Sequence, residues 1–258
     1  MLTANQIKEL SKLRQRKHRE LLNKFLIEGE HLIDECLKSE SFTGMIEIVL
    51  ISSGFQNKSL VERITKKKIT IEVLKEIQFN KISETENSQG IIAVVSFSGY
   101  ARKDFPKGLI IALENINDPG NLGTILRTAW WFGVKNVVIG RNSVEVLNAK
   151  TIRASQGAIF NINIQSDIDL KEYLLTAVEN KYEVFLTTLK SGNYLSDFKY
   201  SNENNIIIVF GNEANGISDE LISIPAVKNM MIKGFSNCES LNVAQSVAIF
   251  LYHFKAVN

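Results

Sequence analysis

Polar side chains that could do chemistry gather in three stretches of the second half of the chain. The first is ENINDPGNLGTILRTAWWFG, residues 114–133. Asp118, Pro119 and Gly120 read as a turn that opens a helix ending near Gly133. At about 3.6 residues per turn, Asn121, Thr124, Arg127 and Thr128 share one arc of about 120°. Leu122, Ile125, Leu126, Ala129 and Trp130 fill the opposite arc. Amphipathicity by itself asks only for a helix packed on a core. The polar arc asks for more, because it holds an amide, hydroxyls and a single guanidinium with no Lys/Glu mixture. A helix N-terminus with an arginine suits an anionic group such as a phosphate.

The second stretch, IIIVFGNEANGIS (206–218), runs a buried strand into Gly211, Asn212, Glu213, Ala214, Asn215 and Gly216, then a helix. Ligands of open α/β sheets bind beyond the carboxyl ends of strands. A glycine there lets backbone approach a ligand, although a plain strand-to-helix turn would read the same way. The third, MMIKGFSNCESLNVAQSVAIF (230–250), again gives a strand end, a glycine (Gly234), a polar loop and an apolar helix. Ser240 or Glu239 could cap that helix. There is no Walker A sequence and no GxGxxG after a strand, and no HExxH or GxSxG. His18, His31 and His253 form no ligand spacing, and no metal site is assigned. A standard nucleotide hydrolase, dehydrogenase or metalloprotease is excluded.

The elements that must carry these stretches are legible as short β-branched runs at 46–52, 69–73, 91–97, 109–114, 136–140, 183–188, 206–210 and 229–233. Helical patterns at 121–132, 168–180 and 240–254 lie between them. Alternation of the two predicts an α/β fold with a mostly parallel sheet. SGYARKDFPKG (98–108) reads as a linker. It gives an N-terminal domain at 1–100, a linker at 101–108 and a C-terminal domain at 109–258. At 45% hydrophobic and 22% charged residues the chain can fill a core, which argues against wholesale disorder. A net charge of +2 leaves any nucleic-acid affinity to local patches. One such patch is the run Lys12, Arg14, Arg16, Lys17, His18 and Arg19, and another is Arg63 with Lys66 to Lys68. Either is a solvated helix face or a phosphate-binding surface; two in one domain favour contact with nucleic acid, through Arg14, Arg16, Lys17 and Arg19. Two cysteines, Cys36 and Cys238, in no metal or redox spacing fit a reducing compartment. With a polar N-terminus and no apolar run of membrane-spanning length, a cytoplasmic protein is expected.

DPGNLGTILRTA, VFGNEANGIS and IKGFSNCESLNVAQSVAIFLY, in this order, resemble the three signature motifs of the SpoU (TrmH) family of RNA ribose 2′-O-methyltransferases. The resemblance covers about 109–254, and FLIEGEHLIDECL with SETENSQGIIAVVSF resembles the substrate-binding domain of ribosomal RNA members. Asn212 and Asn215 stand where many relatives carry Ser or Lys, and IPAVKNMMIKG departs from the usual proline-bearing run. The resemblance implies a parallel sheet with helices on both faces and a deep C-terminal trefoil knot, so that the polar loop before the last helix becomes a wall of the cofactor site. It implies S-adenosylmethionine as cofactor, with Gly211, Ile232 and Leu241 giving backbone contacts and Thr187 nearby. Arg127 matches the catalytic arginine, and Asn121, Glu213, Ser240 and Asn242 match the other polar positions. Asn121 and Asn242 would orient Arg127 and the RNA, and Glu213 would set the local field. The expected substrate is ribosomal RNA; transfer RNA, a base rather than a ribose, and an inactive RNA-binding relative are the alternatives. A homodimer is expected too. The last helix is apolar nearly all round, with Leu241, Ala244, Ala248 and Leu251 in one row and Val243, Val247, Phe250 and Phe254 in another; relatives dimerise through this region.

Overall fold

The computed structural model of the chain describes residues 2–97, 105–189, 193–199 and 205–256. Residues 98–104, which include the first half of the linker expected at 101–108, lie outside the described residues. The chain forms two compact units, Met1–Gly99 with Leu147–Phe160 and Tyr100–Val146 with Asn161–Asn258. In chain order come α1 (Ala4–Lys12), α2 (Arg16–Leu22), β1 (Lys24–Glu28), α3 (Glu30–Lys38), α4 (Glu40–Thr43), β2 (Ile46–Ser52), α5 (Lys58–Lys66), β3 (Thr70–Leu74), α6 (Glu76–Ile82) and β4 (Ile91–Ser96). There follow β5 (Leu109–Leu113), α7 (Pro119–Trp131), β6 (Asn136–Gly140), α8 (Ala149–Ser155), β7 (Asn163–Ile168), α9 (Leu170–Glu179), β8 (Glu183–Thr187), β9 (Ile206–Phe210), α10 (Asp219–Ile222), β10 (Lys228–Met230) and α11 (Val243–Ala256).

The first unit is built on a four-stranded sheet of order β1-β4-β2-β3. β4 is antiparallel to β1 and β2, and β2 is parallel to β3. The central β4 is buried on both faces, which is why it reads as an unbroken apolar run. Ile92 and Val94 pack with Leu50 against Ile7 of α1 and Phe79 and Ile82 of α6. Leu147–Phe160, which lies in the C-terminal half of the sequence, packs with this unit. Its end is bound there by three contacts. Ser39 Oγ donates to the Phe160 carbonyl at 2.8 Å, and the Phe160 ring meets Phe42 at 5.2 Å. Gly157, at φ 89°, lies so near Glu35 that an added Cβ would stand 2.6 Å from Glu35 Cβ.

The second unit is a six-stranded, all-parallel sheet of order β10-β8-β9-β5-β6-β7. α9 and α10 cover one face through Leu170, Leu174, Ala177 and Leu221, packed on Ile110, Val184, Ile207 and Val209. α7 and α11 pack together, and Phe250 of α11 meets Phe210 of β9 edge to face at 5.4 Å. Two strands escaped the sequence reading. β1 (KFLIE) is short and flanked by charge. β7 (NIQSDI) carries Asn, Gln, Ser and Asp on an edge where only part of it is buried.

Glu28, at the end of β1, ties the loop after α6 to the first unit. Its carboxylate accepts from Ser83 Oγ, Thr85 Oγ1 and, at 3.0 Å, the Glu84 amide. Burial pushes its pKa up, but these hydrogen bonds together outweigh burial and hold it below its ordinary 4.5. Stability from this carboxylate is therefore complete above the ordinary value and lost as pH falls through the depressed one. Glu28→Gln is expected to cost about 1–3 kcal/mol near neutral pH. Urea unfolding from about pH 6 down to about pH 3 should show that difference shrink as the parent's carboxylate is protonated.

Candidate active site

α7 begins where the sequence places it. Asp118 is its N-cap and accepts from the Asn121 amide at 2.8 Å, and Pro119, lacking an N–H to lose, occupies the first turn. Leu122, Ile125, Leu126 and Ala129 are buried. That leaves Asn121 half-buried and Thr124 and Arg127 exposed on the opposite arc.

The loop after β9 is folded tightly on itself. Asn212 and Gly216 exchange backbone hydrogen bonds of 2.9 and 3.0 Å. A Cβ on Gly211 would lie 2.3 Å from the Gly216 carbonyl carbon and 2.5 Å from the Ile217 nitrogen. Glycine is thus required at 211 by the chain's own backbone, before any ligand is considered. Asn212 Oδ1 accepts from the amides of Ala214 and Asn215 at 2.9 and 3.0 Å, and its Nδ2 donates to the Asn115 carbonyl at 2.7 Å. Buried Glu114 receives the Ser218 amide at 2.9 Å and the Ser218 hydroxyl at 2.5 Å. The loop is therefore fastened at both ends to the two residues that follow β5. Glu114 and Asn212 were not singled out for a role by the sequence reading. The signal for Glu114 was available, as a carboxylate directly after an apolar strand.

Asn121 of the first motif joins one side chain from each of the other two. Asn121 Nδ2 donates to Glu213 Oε1 at 3.0 Å, and Asn242 Nδ2 donates to Asn121 Oδ1 at 3.0 Å. Asn242 Oδ1 then accepts from the Ala244 amide at 2.8 Å. Asn242, not Ser240 or Glu239, therefore caps the last helix, which starts at Val243 rather than at 240. Ser240 sits exposed in the preceding loop, its carbonyl facing Cys238 Sγ at 3.4 Å. Arg127, on the same helix as Asn121, makes no hydrogen bond or ion pair among the described residues.

Thr187, Gly211 and Ile232 lie at or just past the carboxyl ends of the neighbouring strands β8, β9 and β10. The Thr188 amide donates to the Met230 carbonyl at 3.0 Å, and Met231 is held by Asn193 and Leu195 at 3.0 and 2.9 Å. The Thr188 hydroxyl is buried without a partner among the described residues. A buried polar atom at a strand end, beside loop backbone, fits a ligand with polar edges such as an adenosine. Leu241 is 46% exposed in the loop that leads into α11.

In the first unit the basic run is used differently from expectation. Arg19 is 6% exposed, and its guanidinium donates to the carbonyls of Leu13 and Arg14, both at 2.8 Å. Arg14 closes the end of α6, donating to the carbonyls of Lys81 (3.0 Å), Ile82 (3.4 Å) and Ser83. These two arginines hold backbone; Lys17 is exposed, and Arg16 is exposed in an ion pair with Glu20 at 2.6 Å. A cleft of about 570 Å3 lined by Ala4, Ile7, Lys8, Ser11, Arg14, Gln78 and Lys81 carries cations and no carboxylate. Lys8 and Lys81 come from helices distant in sequence, so no run of charge marked them. Among the described residues no helix is long and apolar enough to cross a membrane.

Residues 4–93 match the MRM3-like substrate binding domain. The 23S rRNA (guanosine(2553)-2'-O)-methyltransferase RlmP of Bacillus subtilis is 32% identical over 96% of this chain and 95% of its own. A solved protein of the TrmH family from Porphyromonas gingivalis is 28% identical, covers all of both chains and superposes with a TM-score of 0.88. An rRNA methyltransferase from Sinorhizobium meliloti, solved with AdoMet bound, has a TM-score of 0.83 over 98% of this chain and 95% of its own. At 24% identity that likeness is one of fold. Residues 108–252, which contain all three motifs and the bridge between them, match the SpoU rRNA Methylase family, and the chain belongs to that family.

Proposed function

We propose that this chain transfers the methyl group of S-adenosylmethionine to a ribose 2′-hydroxyl of ribosomal RNA. The observation that carries the reading is the bridge Glu213–Asn121–Asn242, one residue from each motif, on the helix that presents an unengaged Arg127. The ribosomal substrate is supported by the matched substrate-binding domain and by the Bacillus subtilis relative. In this reading the first unit meets RNA phosphates through Arg16, Lys17 and the Lys8–Lys81 cleft, with Arg14 and Arg19 keeping that surface in shape. The trefoil knot belongs to the same proposal, as does a cytoplasmic location, in keeping with two free cysteines.

When bound, S-adenosylmethionine supplies a methyl made electrophilic by its sulfonium, so the protein's task is chiefly alignment. Thr187, Gly211, Ile232 and Leu241 would hold the cofactor through loop backbone and side chains. Arg127 binds the phosphate beside the acceptor ribose and stabilises charge developing on the 2′-oxygen. A guanidinium does not act as a base in proteins, so the proton leaves to that phosphate or to water. Asn121 and Asn242 would hold position rather than react, and Ser240 would act from the loop that precedes α11. Arg127→Ala is expected to abolish methyl transfer while S-adenosylmethionine affinity stays within about threefold, about 0.7 kcal/mol. Ribose-methylation mapping of total RNA with parent or variant, read as one phosphodiester resistant to alkali, decides it. An active variant would remove Arg127 from the chemistry, and a parent that leaves no resistant site would remove the ribose assignment.

The homodimer is part of the proposal, but the residues that carry it change. Phe250 and Phe254 are about 1% exposed, because Phe210 covers one and Phe185 and Phe198 the other. What stays uncovered is Ile249 and Tyr252 on α11, 40% and 59% exposed, and Trp131 at the end of the adjoining α7, 83% exposed. Apolar surface of this size on two packed helices supports a second copy as its cover. Sedimentation at micromolar concentration should give twice the 29.0 kDa chain mass, and Tyr252→Glu with Trp131→Glu should return it to that of one chain. A parent sedimenting as a monomer would exclude the dimer.

A further inference from the structure

We infer that Glu213 is a positioning residue whose carboxylate dictates, through the Asn121 amide, which way the Asn242 amide faces, and so fixes the first turn of α11 and the loop leading into it. The inference uses the proposed methyltransferase reading only for one of its readouts. A carboxylate only accepts, so Glu213 Oε1 at 3.0 Å requires Asn121 to present Nδ2. Asn121 Oδ1 is thereby turned to Asn242, which must donate, and its Nδ2 does so at 3.0 Å. Asn242 is left with Oδ1 toward the Ala244 amide at 2.8 Å, and a backbone N–H only donates. The chain of bonds thus has an obligate acceptor at one end and an obligate donor at the other. Two amides between them satisfy both ends in one orientation; turning either amide over sets oxygen against oxygen on one side and hydrogen against hydrogen on the other.

The carboxylate that sets this direction is itself held. Asn212 ties the loop on one side of Glu213 to the Asn115 carbonyl at 2.7 Å, and Glu114 ties the other side through Ser218 at 2.9 and 2.5 Å. Glu213 and Asn242 are both exposed, so each bond alone adds little to stability in water. What the relay supplies is order. It couples the loop after β9, through the first turn of α7, to the helix start that follows Ser240 and Leu241, three segments remote in sequence.

The relay makes an expectation of opposite sign to that of an ordinary helix cap. At an ordinary N-cap, Asn→Asp is neutral or favourable, because a carboxylate caps as well as an amide and gains from the helix dipole. Here Asn242→Asp keeps the acceptor for Ala244 but removes the donor to Asn121, and two carboxylates then compete for one amide. Adding Glu213→Gln restores a consistent chain with its direction reversed. The glutamine amide donates to Asn121 Oδ1, and Asn121 Nδ2 donates to the aspartate at 242. Asn242→Asp is expected to lower the unfolding temperature of the ligand-free protein and to weaken S-adenosylmethionine binding by about tenfold. The double variant is expected to return both to near the parent. Glu213→Gln alone replaces the obligate acceptor by an amide that can face either way, so it is expected to fall between the parent and Asn242→Asp in both readouts. An Asn242→Asp protein as stable as the parent overturns the relay, and so does a double variant no better than Asn242→Asp. Should Asn242→Asp fail to fold, a cooperative transition in the double variant supports the relay and none overturns it. Because unfolding is read without ligand, a parent that fails to bind S-adenosylmethionine would count against the proposed function and leave this test intact.

Discussion

The site depends on β5 and β9 lying side by side in parallel. Leu113 stands opposite Phe210, and the Glu114 amide donates to the Phe210 carbonyl at 2.8 Å. Two strands almost a hundred residues apart in sequence therefore end at the same level of the sheet. Parallel pairing sends both chains out of the same edge, one into the turn before α7 and the other into the loop of Gly211. Everything polar nearby follows from that common exit. Glu114 can reach Ser218, Asn115 can receive Asn212, and Asn121, one turn into α7, can reach Glu213. No local propensity brings these groups together; the hydrophobic pairing of the strands does, and the polar bonds refine it.

Much of the second unit was legible because its strands are buried on both faces and so read as plain apolar runs. The polar arc of α7 was legible from its period. What period does not encode is strand order. Nothing in IIIVF says that it pairs with LIIAL rather than with NVVIG, so the meeting of Asn121 with Glu213 could be placed only by resemblance. The cap of α11 was misplaced by two residues for a related reason. Ser240 and Asn242 are both competent caps, and it is Asn242 whose oxygen receives the Ala244 amide while its Nδ2 donates to Asn121. α11 itself reads as apolar nearly all round, yet its two phenylalanines are absorbed by Phe185 of β8, Phe210 of β9 and Phe198.

Charge is the least legible quantity of all. The run from Lys12 to Arg19 looks like one solvated basic face. In the fold it divides, with Arg19 buried on carbonyls, Arg14 closing α6, Arg16 facing Glu20 and Lys17 in solvent. A guanidinium's several donors make it as good a clasp for backbone as for phosphate, and a sequence cannot tell the two uses apart. Gly211 carries a parallel lesson. The expectation of a backbone opened for a ligand meets a position already filled by Gly216 and Ile217. The same absence of a side chain serves the loop's own closure first.

The return of Leu147–Phe160 to the first unit has a consequence for how the protein is made. On the ribosome, β4 is complete long before Phe160 exists, and at about 5–20 residues per second the wait is roughly 3–13 seconds. During that interval Phe42 lacks the Phe160 ring and the Ser39 hydroxyl lacks its carbonyl. The nascent first unit therefore carries an unfinished apolar seam while β5 and α7 are emerging. Cutting the gene between the two halves recreates that seam permanently, leaving Phe160 on one fragment and Phe42 with Ser39 on the other. The two units are joined in synthesis as well as in sequence: the first is finished only by a segment lent from within the second.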